Sequence, residues 1–268
     1  MSRSRRPAIF SMRWVHVLGL CWLCVLALPF AGLLLATPWS HFHLASGDPS
    51  ALAVSAIYTL MALALVVAFG TPLAYWLARR QFPGKWLAEA LIWTSLLTPP
   101  LAMGILLTGV YGPYGWLGSA MRRAGFVLTN SAPAFVLAQV YASAAYYIVG
   151  ARAAFETVPA DLEGLGRTLG DSPWRVFRRV TFPLASGGLA AAASVAWVRA
   201  LGEFGIVLIM AYYPQGIPVK LWVNLQDSGL ASVYPLLWLF FLIGLPIPVI
   251  LGLRMHKRLY GPASRLAT

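Results

Sequence analysis

Six apolar runs long enough to cross a bilayer recur along this chain. They cover about 14–36, 51–77, 86–110, 131–148, 185–210 and 233–253. A spanning helix needs roughly 20 predominantly apolar residues, and in lipid every backbone polar group must be satisfied inside the segment. Composition points the same way: 59% of the 268 residues are hydrophobic and 10% are charged, against about a quarter charged in soluble domains. The expected fold is all-α, a polytopic membrane protein of six transmembrane helices forming one transmembrane domain over 1–268.

A net charge of +12 would suggest a polyanion partner in a soluble protein. Here the basic residues lie in short loops, so the charge is topological and no nucleic acid is expected. With six spans, sixteen of the 20 Lys and Arg residues fall on the side of the N-terminus and three on the other, and Arg199 lies inside a span. Cytoplasmic loops carry such an excess, which places both termini in the cytoplasm. The basic N-terminus (Arg3, Arg5, Arg6, Arg13) followed by 14–36 could also be read as a cleaved signal peptide. That apolar run exceeds the usual ~7–15 residues and lacks a convincing cleavage site, so a retained first span is expected.

One long polar stretch, residues 152–184, interrupts the apolar pattern. It reads as two short helices broken at a glycine. Asp161 is placed for the positive end of the first helix dipole, with Glu163, Gly166 and Arg167 following on it. Gly170 can take up a left-handed stop. Asp171 and Ser172 can cap a second helix, Pro173 suits its first turn, and Trp174, Phe177 and Val180 give an apolar stripe. Pro183 is expected to close the unit. A helix–glycine–helix element of this kind offers a rigid docking shape outside the bilayer.

Residues 162–183 resemble the cytoplasmic "EAA" loop of ABC importer membrane subunits. Glu163 supplies the acidic residue, Gly170 the key glycine, and Val180, Phe182 and Pro183 the close after nine intervening residues. Gly164, Leu165 and Gly166 stand where the family carries small alanines. The runs Leu97–Pro100, Tyr111–Pro113 and Arg199–Gly205 extend the resemblance to molybdate/sulfate-type permeases over about 50–255. The resemblance implies a type I importer-like permease of a bacterial inner (plasma) membrane, working as a homodimer with the pathway on its two-fold axis. It implies a cytoplasmic ATP-binding subunit, an extracytoplasmic substrate-binding protein, and Glu163 and Arg167 as polar contacts to the ATPase. Molybdate is the expected cargo, with sulfate and tungstate as alternatives.

Two further features bear on a pathway. Pro99 and Pro100 remove backbone donors from the third run and must bend or break it, and broken backbone in a membrane is tolerated where it is packed in protein or lines water. Arg199 and Glu203 are four apart within the fifth run and can neutralise each other. They are either a structural ion pair, helped by Gly202 and Gly205 letting a neighbour approach, or a lining of the path. The pair Cys21/Cys24 lies in an apolar run and reads as two small hydrophobes. His41 and His43 lack further ligands for a metal, and no cofactor is expected. Neither a P-loop nor H-E-x-x-H occurs, so the chain is not expected to be an enzyme, and any ATP hydrolysis belongs to a separate polypeptide. An ion-gradient-driven carrier is the rival reading, but no inverted repeat is visible.

Overall fold

A computed structural model describes residues 12–260; Arg3, Arg5, Arg6 and Arg265 lie outside the described residues. Thirteen α-helices follow one another: α1 (Met12–Ala36), α2 (Asp48–Arg79), α3 (Lys85–Leu97), α4 (Pro100–Tyr111), α5 (Trp116–Arg123), α6 (Ala132–Glu156), α7 (Ala160–Thr168), α8 (Pro173–Val176), α9 (Phe182–Leu201), α10 (Gly205–Met210), α11 (Ile217–Ser228), α12 (Tyr234–Gly244) and α13 (Pro246–Tyr260). Five helical segments among the described residues are long and apolar enough to cross a membrane, and the α3–α4 pair makes a sixth if counted as one broken span.

The centre of the bundle is α2, α6 and α9, and small residues bring them together. A Cβ on Gly70 would lie 2.8 Å from the Tyr147 ring, one on Gly150 2.8 Å from Ala192, and one on Gly188 2.5 Å from Ala154. Close backbone approach of this kind drives helix association where lipid offers no hydrophobic contrast. Gly70 is therefore a packing position on α2. By contrast α1 is almost bare, with Cys21 and Cys24 exposed on it. It touches the bundle near its C-terminus, where Phe30 meets Phe241 at 5.5 Å and the Trp238 indole donates to Thr37 Oγ1 at 3.0 Å.

Polar contacts sort the connections into two ends. At one, Arg79 at the end of α2 pairs with Glu163 on α7, and Arg152 on α6 pairs with Glu89 near the start of α3, each at 2.8 Å. At the other, Asn224 on α11 donates to Asp48 at 2.9 Å, the Ile217 N–H donates to Ser55 at 2.8 Å, and the Asn130 N–H donates to the Met210 carbonyl at 3.1 Å. The chain between α2 and α6 thus passes from one end to the other, as the six-span reading requires.

Several boundaries differ from those expected. The run 86–110 is two helices bent by 116° at the Thr98–Pro99 junction; the prolines break it outright. The run 185–210 is also broken, because α9 ends at Leu201 and α10 begins at Gly205. Pro183 does not close the polar unit. It lies in the first turn of α9, and the helix runs continuously from Pro173 through a π-helical turn, Phe177–Thr181. The Phe182 N–H reaches back to the Phe177 carbonyl, and Pro at the following position has no donor to lose. The non-helical part of 152–184 shrinks accordingly, since α6 continues to Glu156. Residues 211–232, between the fifth and sixth apolar runs, hold α11, started by Pro218 in its first turn.

Candidate functional site

The polar helix–glycine–helix element, a knuckle of α7, Gly170 and α8, keeps its expected left-handed glycine. Gly170 has φ +89°, and its N–H bonds the Arg167 carbonyl at 3.0 Å while the Asp171 N–H bonds the Gly166 carbonyl at 3.1 Å. That is a Schellman close, which satisfies the orphan carbonyls of α7. Ser172 is the N-cap of α8 but makes no side-chain cap bond; Asp171 instead pairs with Arg175 at 3.1 Å. Gly166 allows α8 to fold back on α7, since a Cβ there would lie 3.0 Å from buried Val176. Of the expected stripe, Trp174 is exposed and stacks on Phe177, which also meets Tyr75 edge-on at 5.1 Å.

Glu163, expected to face a partner, faces its own subunit. Its side chain is 6% exposed. Oε1 accepts from Arg79 Nε at 3.0 Å and from Thr181 Oγ1 at 2.8 Å, and Arg79 also donates to the Val158 carbonyl at 2.9 Å. One carboxylate therefore ties α7 to the end of α2 and to the π turn that leads into α9. Asp161 and Arg167 are exposed, as are Leu162, Leu165 and Leu169, the last at 85%. An apolar ridge with a charged border is what α7 presents outward. Replacing Gly170 by Val should cost about 1–2 kcal/mol from the left-handed backbone alone and loosen the α7–α8 angle; limited proteolysis within 157–172 should accelerate relative to the parent.

Deeper in the bundle the two helix breaks face each other. A Cβ on Gly205 would lie 2.7 Å from Pro100 Cβ and 3.0 Å from the Leu101 nitrogen, so α10 starts hard against the start of α4. Gly202, also expected to admit a neighbour, does not: a Cβ there would meet the Val198 carbonyl at 3.3 Å and otherwise only Phe240 at 3.9 Å. The Arg199–Glu203 pair spans the break rather than decorating one helix face. Arg199 sits in the last turn of α9, where a cation complements the dipole, and the Glu203 carboxylate accepts the Ile206 N–H of α10 at 2.7 Å. Gln139 on α6 donates to the Ala200 carbonyl at 3.1 Å and to Thr59 at 2.8 Å, satisfying another group freed by the break. The Arg199 guanidinium also lies 5.6 Å above the Tyr146 ring.

Arg79, Thr181, Gln139 and Tyr146 were not singled out from sequence. Gln139 was legible, as an amide inside an apolar span. The pairing of Arg79 with Glu163, 84 residues apart, left no sequence trace.

Residues 70–260 match the model of the family described as binding-protein-dependent transport system inner membrane component. The chain is similar to a probable molybdenum ABC transporter permease protein of Haloferax volcanii, 39% identical over 197 residues, 74% of this chain and 71% of the relative. It is similar to the molybdate/tungstate transport system permease protein WtpB of Thermococcus kodakarensis, 33% identical over 198 residues, 74% of this chain and 75% of the relative. Its fold matches the solved structure of a bacterial alginate ABC transporter in complex with an alginate pentasaccharide-bound periplasmic protein, with TM-score 0.67, 14% identity, and coverage of 92% of this chain and 95% of that one.

Proposed function

The chain belongs to the family of binding-protein-dependent transport system inner membrane components, and we propose that it is the permease subunit of an ATP-driven importer of molybdate. The observation that carries the mechanical part is the Glu163 junction, where one buried carboxylate holds α7 to both α2 and the helix that continues to the Arg199–Glu203 break. A push on the outer ridge of α7 is then delivered to two spans at once. The cargo follows the two relatives, whose names specify molybdenum and molybdate or tungstate.

In this reading a separate cytoplasmic ATPase receives the Leu162–Leu165–Leu169 ridge, with Asp161 and Arg167 at its border, and an extracytoplasmic binding protein delivers the cargo at the end formed by α5 and α11. The arginine-rich end is cytoplasmic, together with both termini. A second copy of the chain supplies the other wall of the pathway. Support for that comes from the flank beside the breaks, where Pro99 and Pro100 are exposed next to Arg199, whose side chain is 25% exposed. A guanidinium at membrane depth faces a water-filled cavity or protein rather than lipid. When ATP closes the paired ATPases, the knuckles approach and the broken third and fifth spans repack as rigid bodies.

Proteoliposomes holding the chain with its ATPase and binding protein provide the test. Molybdate uptake is expected with ATP and not with a non-hydrolysable analogue, with tungstate competing better than sulfate. Uptake that ignores ATP and collapses with an uncoupler would replace this reading by an ion-gradient carrier.

A further inference from the structure

A cavity of about 170 Å³ lies at the meeting point of the two breaks. A water needs at least about 10–15 Å³ of such space, so the cavity has room for several waters or a small oxyanion. Ser95, Thr98, Tyr141, Tyr146 and Arg199 are its polar lining. Glu203 is not part of that lining; it is 1% exposed, with one carboxylate oxygen on Arg199 and the other on the Ile206 N–H. The ion pair is thus asymmetric towards the cavity, presenting the cation and hiding the carboxylate. Only Nη1 of Arg199 is taken by Glu203, which leaves guanidinium donors for a ligand. Thr98 Oγ1 donates to the Thr94 carbonyl at 2.7 Å and the Tyr141 hydroxyl shares a hydrogen bond with Tyr111 at 3.3 Å, so Ser95 and Tyr146 are the lining hydroxyls left to a ligand beside Arg199.

We propose that this cavity is a transit station for a tetrahedral oxyanion, with Arg199 as the contact residue and Glu203 as a positioning residue that keeps its affinity low. The inference rests on the importer reading. An arginine in a cavity of this kind without a counter-charge would trap a dianion; a carboxylate behind it offsets most of the attraction, and a station on a conduction route must release what it binds. The Ser95 and Tyr146 hydroxyls give directional contacts that suit tetrahedral oxygens without adding charge. Glu203→Gln keeps an acceptor for the Ile206 N–H while removing the opposing charge, which separates the electrostatic role from the capping role.

Equilibrium dialysis of radiolabelled molybdate against the purified permease–ATPase complex, without binding protein, tests this. The parent complex is expected to bind weakly, E203Q about tenfold or more tighter, R199Q about tenfold or more weaker, and R199K in between. In proteoliposomes E203Q should take up molybdate more slowly despite its tighter site, because release becomes limiting. If both residues are only structural, E203Q and R199Q will lose thermal stability while the folded fraction binds molybdate as the parent does. That result, or no molybdate binding by the parent complex, overturns the station. The two readings fail separately: ATP-driven molybdate uptake by the parent with unaltered binding in the variants sinks the station alone, whereas a parent that imports no molybdate sinks the cargo assignment first.

Discussion

Replacing Glu163 by Lys is expected to abolish ATP-driven uptake while the chain still inserts and the partner ATPase still turns over. The substitution sets a second cation against Arg79, where both side chains are largely buried, and leaves Thr181 without its acceptor. Breaking a buried pair by removing one partner costs about 3–5 kcal/mol. That cost falls on the junction between α7, α2 and the π turn, so the knuckle can still be pushed but no longer carries the push inward. Adding Arg79→Glu restores an opposite-charge pair and should return part of the uptake, although the reversed pair loses the bond to the Val158 carbonyl. Uptake and ATP hydrolysis measured side by side in proteoliposomes check both. A role limited to a surface contact with the ATPase would give no rescue from Arg79→Glu.

The second large effect is expected at Gly205. A valine there must displace Pro100 and the Leu101 backbone, which are fixed by the break itself and cannot rotate away. Overpacking of this kind costs typically 1–3 kcal/mol, and here it separates α4 from α10 and opens the wall around the Arg199 cavity. Transport by Gly205→Val should fall to background with the protein still present in the membrane. Gly202→Ala is the control, because its added methyl meets the Val198 carbonyl of its own helix end and no packed neighbour closer than 3.9 Å. Near-parental uptake is expected for it. Equal loss in both variants would mean that the approach of α4 to α10 is not what matters.

These two positions also mark how far local sequence specifies the fold. The number of spans, the knuckle and its left-handed glycine follow from apolar run length, charge placement and glycine chemistry, all local properties. Pro99 and Pro100 announced a break for the same reason. The break at Gly202–Phe204 was not legible, since Arg199 and Glu203 at four-residue spacing read equally well as a pair on one continuous helix. What ends α9 is tertiary: α10 turns off to pack on α4, with Gln139 and Glu203 satisfying groups freed by the turn. Glu163 is the sharper lesson. An acidic residue on a short polar helix reads as a surface contact, and only the fold brings Arg79 and Thr181 to it. Pro183 misled because a proline that normally stops a helix is accommodated here just after a π turn.

The central claim is that the knuckle moves the wall formed by the two breaks, and site-specific thiol labelling measures this most directly. Leu97 is 79% exposed at the rim of the Arg199 cavity. A Leu97→Cys variant, with Cys21 and Cys24 replaced by Ser, would be labelled by a membrane-impermeant thiol reagent in proteoliposomes of the full complex. The labelling rate should change when ATP is supplied, and the change should vanish when Glu163→Lys is added. A rate that ignores ATP while molybdate uptake proceeds, or an ATP response that survives Glu163→Lys, would contradict the account.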